Sequence, residues 1–131
     1  MKNVTFPEFV AYVLWEREHR PQIDIHWRPQ YDECQPCHIK YDYIAHYETI
    51  QDDAKDVLQK VSAGSDVEFP VGDSDYRQSS SRDHLGLFEN VSVSDIKRIL
   101  DYYRNDYNVF GYKIPDIIRR RLDDENPDSI S

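Results

Sequence analysis

Ile39-Lys40-Tyr41-Asp42-Tyr43 alternates apolar and charged side chains, the period-two pattern that sorts residues onto the two faces of a β-strand. Directly after it the pattern becomes helical. Thr49 with Asp52 reads as a capping box, and Ile50, Ala54, Val57, Leu58 and Val61 form an apolar stripe that stops near Gly64. The spacing therefore predicts one strand leading into one helix.

Working outward, Thr5, Pro7 and Glu8 form a helix start, and Phe9, Val10, Val13 and Leu14 supply its apolar face. The charged run Glu16 to Arg20 and Pro21 end it. Pro29 and Pro36 keep the stretch from Pro21 to Pro36 irregular. Ser65 to Asp83 reads as a long polar loop. Ser92 with Asp95 opens a third helix, with Ile96, Ile99, Leu100, Tyr103 and Tyr107 on one side. Val109-Phe110-Gly111-Tyr112 is expected as a short buried extended end. Beyond Pro115, a basic turn at Arg119-Arg120-Arg121 leads into a disordered tail from Asp123 to Ser131. One strand and three helices do not complete an α/β domain, because the backbone of a lone strand needs hydrogen-bond partners. The expectation is that part of the fold lies outside this chain.

The 131 residues allow one domain, and 13% aromatic content with ten Tyr argues against a disordered acidic chain. Lys and Arg number 16 against 25 Asp and Glu, a net charge of −9. That balance argues against nucleic acid or an anionic membrane as the main partner. No apolar run approaches the ~20 residues of a membrane span, and Met1-Lys2-Asn3 has no leader character.

Several motifs carry chemistry. Cys34-Gln35-Pro36-Cys37-His38 satisfies the spacing of c-type haem attachment, of a thioredoxin-like redox pair, and of half a zinc site. The only Met is Met1, the pair precedes its strand instead of opening a helix after one, and a second metal-binding pair is missing. A local disulfide or two packed thiols fit as well. His26-Trp27 combines an imidazole and an indole in a polar stretch, the makings of a sugar cleft or of a hydrogen-bonded packing pair. Glu48 reads as a general base or as an anion near a helix start, and Thr49 as its cap. Asp52, Asp53 and Asp56 read as a solvated helix face. Gly64, Gly72, Gly86 and Gly111 are too scattered for a phosphate loop. His19 and His84 lie in charged stretches and carry no role. Two sequons occur, Asn3-Val4-Thr5 and Asn90-Val91-Ser92, with Asn90 the better glycosylation candidate.

Taken in order, Val4 to Val10, Asp24-Ile25-His26-Trp27, Cys34-Gln35-Pro36-Cys37, Tyr41-Asp42-Tyr43-Ile44, Tyr47-Glu48-Thr49, Asp53 and Tyr103 to Tyr112 form a series of blocks. That series resembles the C-terminal portion of the Golgi carbohydrate sulfotransferases. The family includes the chondroitin and dermatan 4-O-, N-acetylgalactosamine 4-O- and HNK-1-type sulfotransferases. The resemblance implies an α/β fold, with residues 1–115 as the C-terminal part of a parallel sheet flanked by helices, incomplete without upstream strands. Residues 116–131 would be the basic turn and acidic tail.

It also implies sulfate transfer from 3′-phosphoadenosine-5′-phosphosulfate to a hydroxyl of a glycan, either a glycosaminoglycan or a glycoprotein oligosaccharide. His26 is the expected catalytic base and Trp27 the expected acceptor-side residue. The family's donor-binding segments lie upstream, so no cofactor-binding or metal residue is assigned and the chain alone is expected to bind no donor and to be inactive. A Golgi lumenal address, with membrane attachment only through an anchor outside this sequence, follows from the same resemblance. An oxidising lumen favours a Cys34–Cys37 disulfide and glycosylation at Asn90 and Asn3. The rivals are a secreted, non-catalytic glycan-binding remnant of the fold and a small redox or haem protein built on Cys34 to His38.

Overall fold

The computed structural model describes residues 3–61, 67–70 and 86–124, and most of the expected polar loop, His84 and residues 125–131 fall outside them. Helix α1 runs Phe6–His19. The Thr5 hydroxyl accepts the Glu8 N–H at 3.4 Å and the Glu8 carboxylate accepts the Thr5 N–H at 2.8 Å, so the capping box forms as read. Arg20 turns extended just before Pro21 and ends the helix.

Val10 and Leu14 of α1 pack into a core with Val91, Ile96 and Ile118. Ile96 lies on α4, Val93–Tyr102, whose cap Ser92 accepts the Asp95 N–H at 3.0 Å. Ile118 lies on α6, Asp116–Asp124. A 3₁₀ turn, Gly86–Asn90, closes the cluster, with Phe88 edge-on to Phe6 at 4.9 Å. The expected basic turn at Arg119 to Arg121 is thus helix. Ile117, Ile118 and Leu122 give that segment an apolar side to bury. Arg121 reaches back to the carbonyls of Phe88, Glu89 and Val91, the last at 2.9 Å, and ties α6 to the turn.

The stripe from Ile96 to Tyr107 breaks at Tyr103 (φ −95°, ψ 14°), and α5, Arg104–Phe110, begins there. Val109 and Phe110 are therefore the last helical turn instead of an extended end. Gly111 explains the change: at φ 70° it takes the left-handed position that closes a helix, and its N–H bonds the Tyr107 carbonyl at 3.1 Å. Phe110 is buried as expected.

A short helix, α2, Gln30–Cys34, occupies the stretch expected to be irregular. It starts after Pro29 and ends where Gln35 turns left-handed at φ 47°. A further 3₁₀ turn, Tyr47–Thr49, leads into α3, Ile50–Val61.

The strand expected over Ile39 to Tyr43 does not form, and among the described residues there is no strand at all. The sheet part of the α/β reading is therefore not borne out among the described residues, which form helices, turns and loops. The physical reason is the missing partner, since a strand needs a neighbour for its N–H and C=O groups. Side chains hold this segment instead. The Tyr41 hydroxyl donates to the Cys34 carbonyl at 2.7 Å, Tyr43 donates to Asp53 at 3.2 Å, and Lys60 sits over the Tyr43 ring at 5.3 Å. No helix of the described residues is long and apolar enough to cross a membrane.

Candidate functional site

A cleft of about 820 Å³ opens between residues 26–30, residues 46–49, and α5 with the segment that follows it to Pro115. His26, Trp27 and Arg28 come from the loop after α1, His46 to Thr49 from the turn before α3, Tyr103 from the junction of α4 and α5, and Asp106 and Tyr107 from α5.

His26 is exposed, with 78% of its side chain accessible. Its Nδ1 lies 2.6 Å from Asp24 Oδ1, and its backbone N–H donates to the same oxygen at 3.0 Å. The backbone bond first, then the imidazole, holds the Asp24 carboxyl below its ordinary range. A carboxylate on Nδ1 selects the tautomer whose Nε2 carries the lone pair, leaving that nitrogen available as a base. Asp24 is two residues before His26 in the same sequence block, so the pairing was available to be read there.

Trp27 is half-buried and is built into α1. Its indole N–H donates to Glu16 at 2.6 Å, and its ring meets Phe9 and Tyr12 edge-on at 5.5 and 6.0 Å. The packing and cleft-lining readings of Trp27 therefore coexist. Arg28 pairs with Glu33 and donates to the Ile23 carbonyl at 2.6 Å. Lys113, exposed at the cleft, has no hydrogen-bond or ion-pair partner among the described residues.

Across the cleft, Asp53 organises the 46–49 turn. It accepts from the Thr49 hydroxyl at 2.7 Å, the His46 N–H at 2.9 Å and the Tyr43 hydroxyl at 3.2 Å. These bonds, Thr49's the strongest, lower its pKa. The partner of Thr49 is thus Asp53 and not Asp52 as the capping-box pattern has it. Glu48 is exposed and lines the same cleft. His46 packs edge-on to Tyr112 at 5.3 Å.

At the junction of α4 and α5, the Tyr103 hydroxyl donates to the Trp27 carbonyl at 2.6 Å, and burial pushes its pKa well up. Asp106 is buried and accepts the backbone N–H of Gln30 at 2.9 Å and of Tyr31 at 2.8 Å. Sequence reasoning missed Asp106 and the buried Glu16. Each sits in a run of polar residues that carries no period of its own.

The remaining candidates lie elsewhere. Cys34 and Cys37 stand as separate thiols near the end of α2, Cys37 Sγ being 3.3 Å from the Tyr31 hydroxyl. His38 is exposed, and His19 stacks on Trp15 at 5.1 Å. Among the described residues no three His, Cys, Asp or Glu gather closely enough to hold a metal. Asn90 ends the 86–90 turn and Asn3 precedes α1, both exposed.

Residues 1–113 match the sulfotransferase family model. The chain belongs to the sulfotransferase family. Carbohydrate sulfotransferase 14 of Mus musculus is 36% identical over 118 residues, covering 89% of this chain and 31% of that protein. Carbohydrate sulfotransferase 11 of Danio rerio is 33% identical over 120 residues, 89% of this chain and 33% of that protein. Carbohydrate sulfotransferase 8 of Mus musculus is 36% identical over 117 residues, 86% of this chain and 28% of that protein. The chain thus spans about a third of the length of these sulfotransferases. No solved structure gives a significant match. Every residue of the cleft except Pro115 falls inside the matched sulfotransferase region.

Proposed function

We propose that this chain forms the acceptor side of a carbohydrate sulfotransferase, with His26 as the base that takes the proton of a glycan hydroxyl. The observation that carries the reading is the Asp24–His26 pair, bonded at 2.6 Å and opening onto a cleft that lies almost wholly within the family match. In the step proposed, the hydroxyl oxygen bonds the sulfur of 3′-phosphoadenosine-5′-phosphosulfate as the sulfur–oxygen bond to the 5′-phosphate breaks. The hydroxyl proton passes to Nε2 of His26, and adenosine 3′,5′-bisphosphate leaves. Asp24 steadies the imidazolium that forms. The Trp27 ring offers the acceptor sugar an apolar wall, and donor binding is assigned to parts of the enzyme outside this chain.

The names of the relatives support a glycan as acceptor. By the same family resemblance the enzyme works in the Golgi lumen, where Cys34 and Cys37, separate thiols in this structure, are expected to be oxidised to a disulfide and Asn90 to carry a glycan. A larger mass gain when alkylation follows reduction than when it does not is the expected sign of the disulfide. A glycosidase-sensitive mass at Asn90 after secretory expression is the sign of the glycan.

The test is transfer of labelled sulfate to chondroitin and dermatan by the full-length enzyme, which joins this chain to its donor-binding parts, and by its His26→Ala variant. Loss of the base is expected to lower turnover by about 10²–10⁴-fold with little change in melting temperature. Unchanged turnover, or a collapse in melting temperature, makes His26 a packing residue. Glycan retention without any sulfate transfer by the unmodified full-length enzyme favours the non-catalytic binding remnant.

A further inference from the structure

The two charged side chains buried among the described residues, Glu16 at 2% exposure and Asp106 at 5%, come from different helices and spend their oxygens on one segment. Glu16, on the inner side of α1, accepts the Trp27 indole N–H at 2.6 Å and the Asp24 backbone N–H at 3.3 Å. Tyr12 donates to it at 3.2 Å, and Arg20 lies 3.6 Å away. Asp106, on α5, accepts the N–H groups of Gln30 and Tyr31 from 76 and 75 residues along the chain.

Those two N–H groups open α2, whose own cap position is Pro29, a residue with no side chain able to accept them. Asp106 supplies the missing cap from another helix. Two tyrosines reinforce the grip: Tyr103 on the Trp27 carbonyl at 2.6 Å, and Tyr112 on the Gln30 side chain at 2.5 Å.

Buried carboxylates are costly unless hydrogen bonds offset the lost hydration, and removing one leaves its partners unsatisfied. At Glu16, desolvation favours the protonated form, yet the bonds from Trp27, Asp24 and Tyr12 with the Arg20 charge outweigh it and the pKa is lowered. The segment between the two carboxylates is the loop that carries Asp24, His26 and Trp27. It has no sheet or long helix to hold it, and its own burial is modest.

We propose that Glu16 and Asp106 are positioning residues that clamp the Asp24–Tyr31 segment at its two ends and so hold the Asp24–His26 pair at the cleft. The proposal rests on the reading of His26 as the base. Neither carboxylate touches the acceptor; each acts through the backbone and the indole.

Glu16→Gln and Asp106→Asn keep the shape of each side chain and exchange an acceptor oxygen for an NH₂ that faces donors. Glu18→Gln, which removes the exposed partner of Arg98 on the same helix, is the control. Hydrogen exchange over residues 24–31 and sulfate-transfer kinetics are read together. Each clamp variant is expected to speed exchange in 24–31 while α4 keeps its protection. Turnover should fall about a hundredfold with KM little changed, as misplacement of a catalytic group predicts. The double variant should lose little more than the worse single one, because both act on one segment. Glu16→Asp keeps the charge and falls one methylene short. If the isosteric variants fail to fold, it is expected to show a smaller loss of the same kind.

Unchanged exchange in 24–31, or faster exchange with turnover as in the unmodified protein, overturns the proposal. An unmodified full-length enzyme that transfers no sulfate defeats the functional reading alone, and the exchange measurement still decides whether the clamp exists.

Discussion

Leu14 and Ile96 are all but sealed from solvent, at 1% and 0% exposure, whereas α3 buries none of its residues. The two regions are written in similar letters. Ile50, Ala54, Val57, Leu58 and Val61 repeat at helical spacing as cleanly as Ile96, Ile99 and Leu100 do. In one region α1, α4, α6 and the 86–90 turn close on each other around a shared core. In the other, residues 39–61 leave Ile39, Ile44, Tyr47 and Val61 exposed, and a polar network centred on Asp53 holds the turn in place. Periodicity reports that a helix has an apolar face. It does not report whether the described chain supplies the surface to cover it.

The contrast makes its largest test in the core. Ile96→Ala and Leu14→Ala should each cost about 2–5 kcal/mol, the usual price of a cavity at a sealed site. Val57→Ala on α3, at a half-buried position, should cost less than about 1 kcal/mol. Urea midpoints measure both, and equal losses would mean that α3 shares the core's cooperative unit.

How much of this was readable in the sequence divides along the same line. The caps at Thr5 and Ser92 and the faces of α1 and α4 were legible because each rests on residues three or four apart. The strand at Ile39 to Tyr43 was misread because alternation describes faces and says nothing of a partner. The break at Tyr103 and the left-handed turn at Gly111 were not read, although a glycine after a helical run is a stop signal. At the cleft, His26 and Trp27 stood out by type, and Asp24 by adjacency. Glu16 and Asp106 were invisible, since what identifies them is a bond to atoms 8 to 76 residues away.

Gly111 gives the next largest effect. A Cβ there meets nothing within 4 Å, so the cost of Gly111→Ala is conformational alone, from φ +70°. The expected loss is about 1–2 kcal/mol, seen as a lower melting temperature. A neutral result would mean that the turn after α5 relaxes freely, and that the cleft residues Tyr112 and Lys113 are less firmly set than the core. Ser92→Ala comes below it, at about 1 kcal/mol, because α4 keeps its packing and loses one cap.

The smallest effect is local and depends on pH. Hydrogen bonds from Thr49, the His46 N–H and Tyr43 favour the charged Asp53 carboxylate and depress its pKa below the ordinary 3.8. A depressed carboxylate contributes stability that is complete above its unfolded value and fades as pH falls through its folded value. The 46–49 turn should therefore loosen in acid, as pH falls below the ordinary 3.8 and through the depressed value of Asp53. The cluster around Ile96 is itself apolar, and the lowered carboxylates nearest to it, Glu8, Glu16 and Glu18, act on α1 and not on the 46–49 turn. Backbone NMR signals of His46 and Thr49 are expected to shift ahead of those of Val91 and Ile96, and Asp53→Ala should remove that early step while leaving the core signals in place. If the His46 and Ile96 signals move together in both proteins, the polar arm and the apolar core unfold as one body, and Asp53 is not what holds the turn.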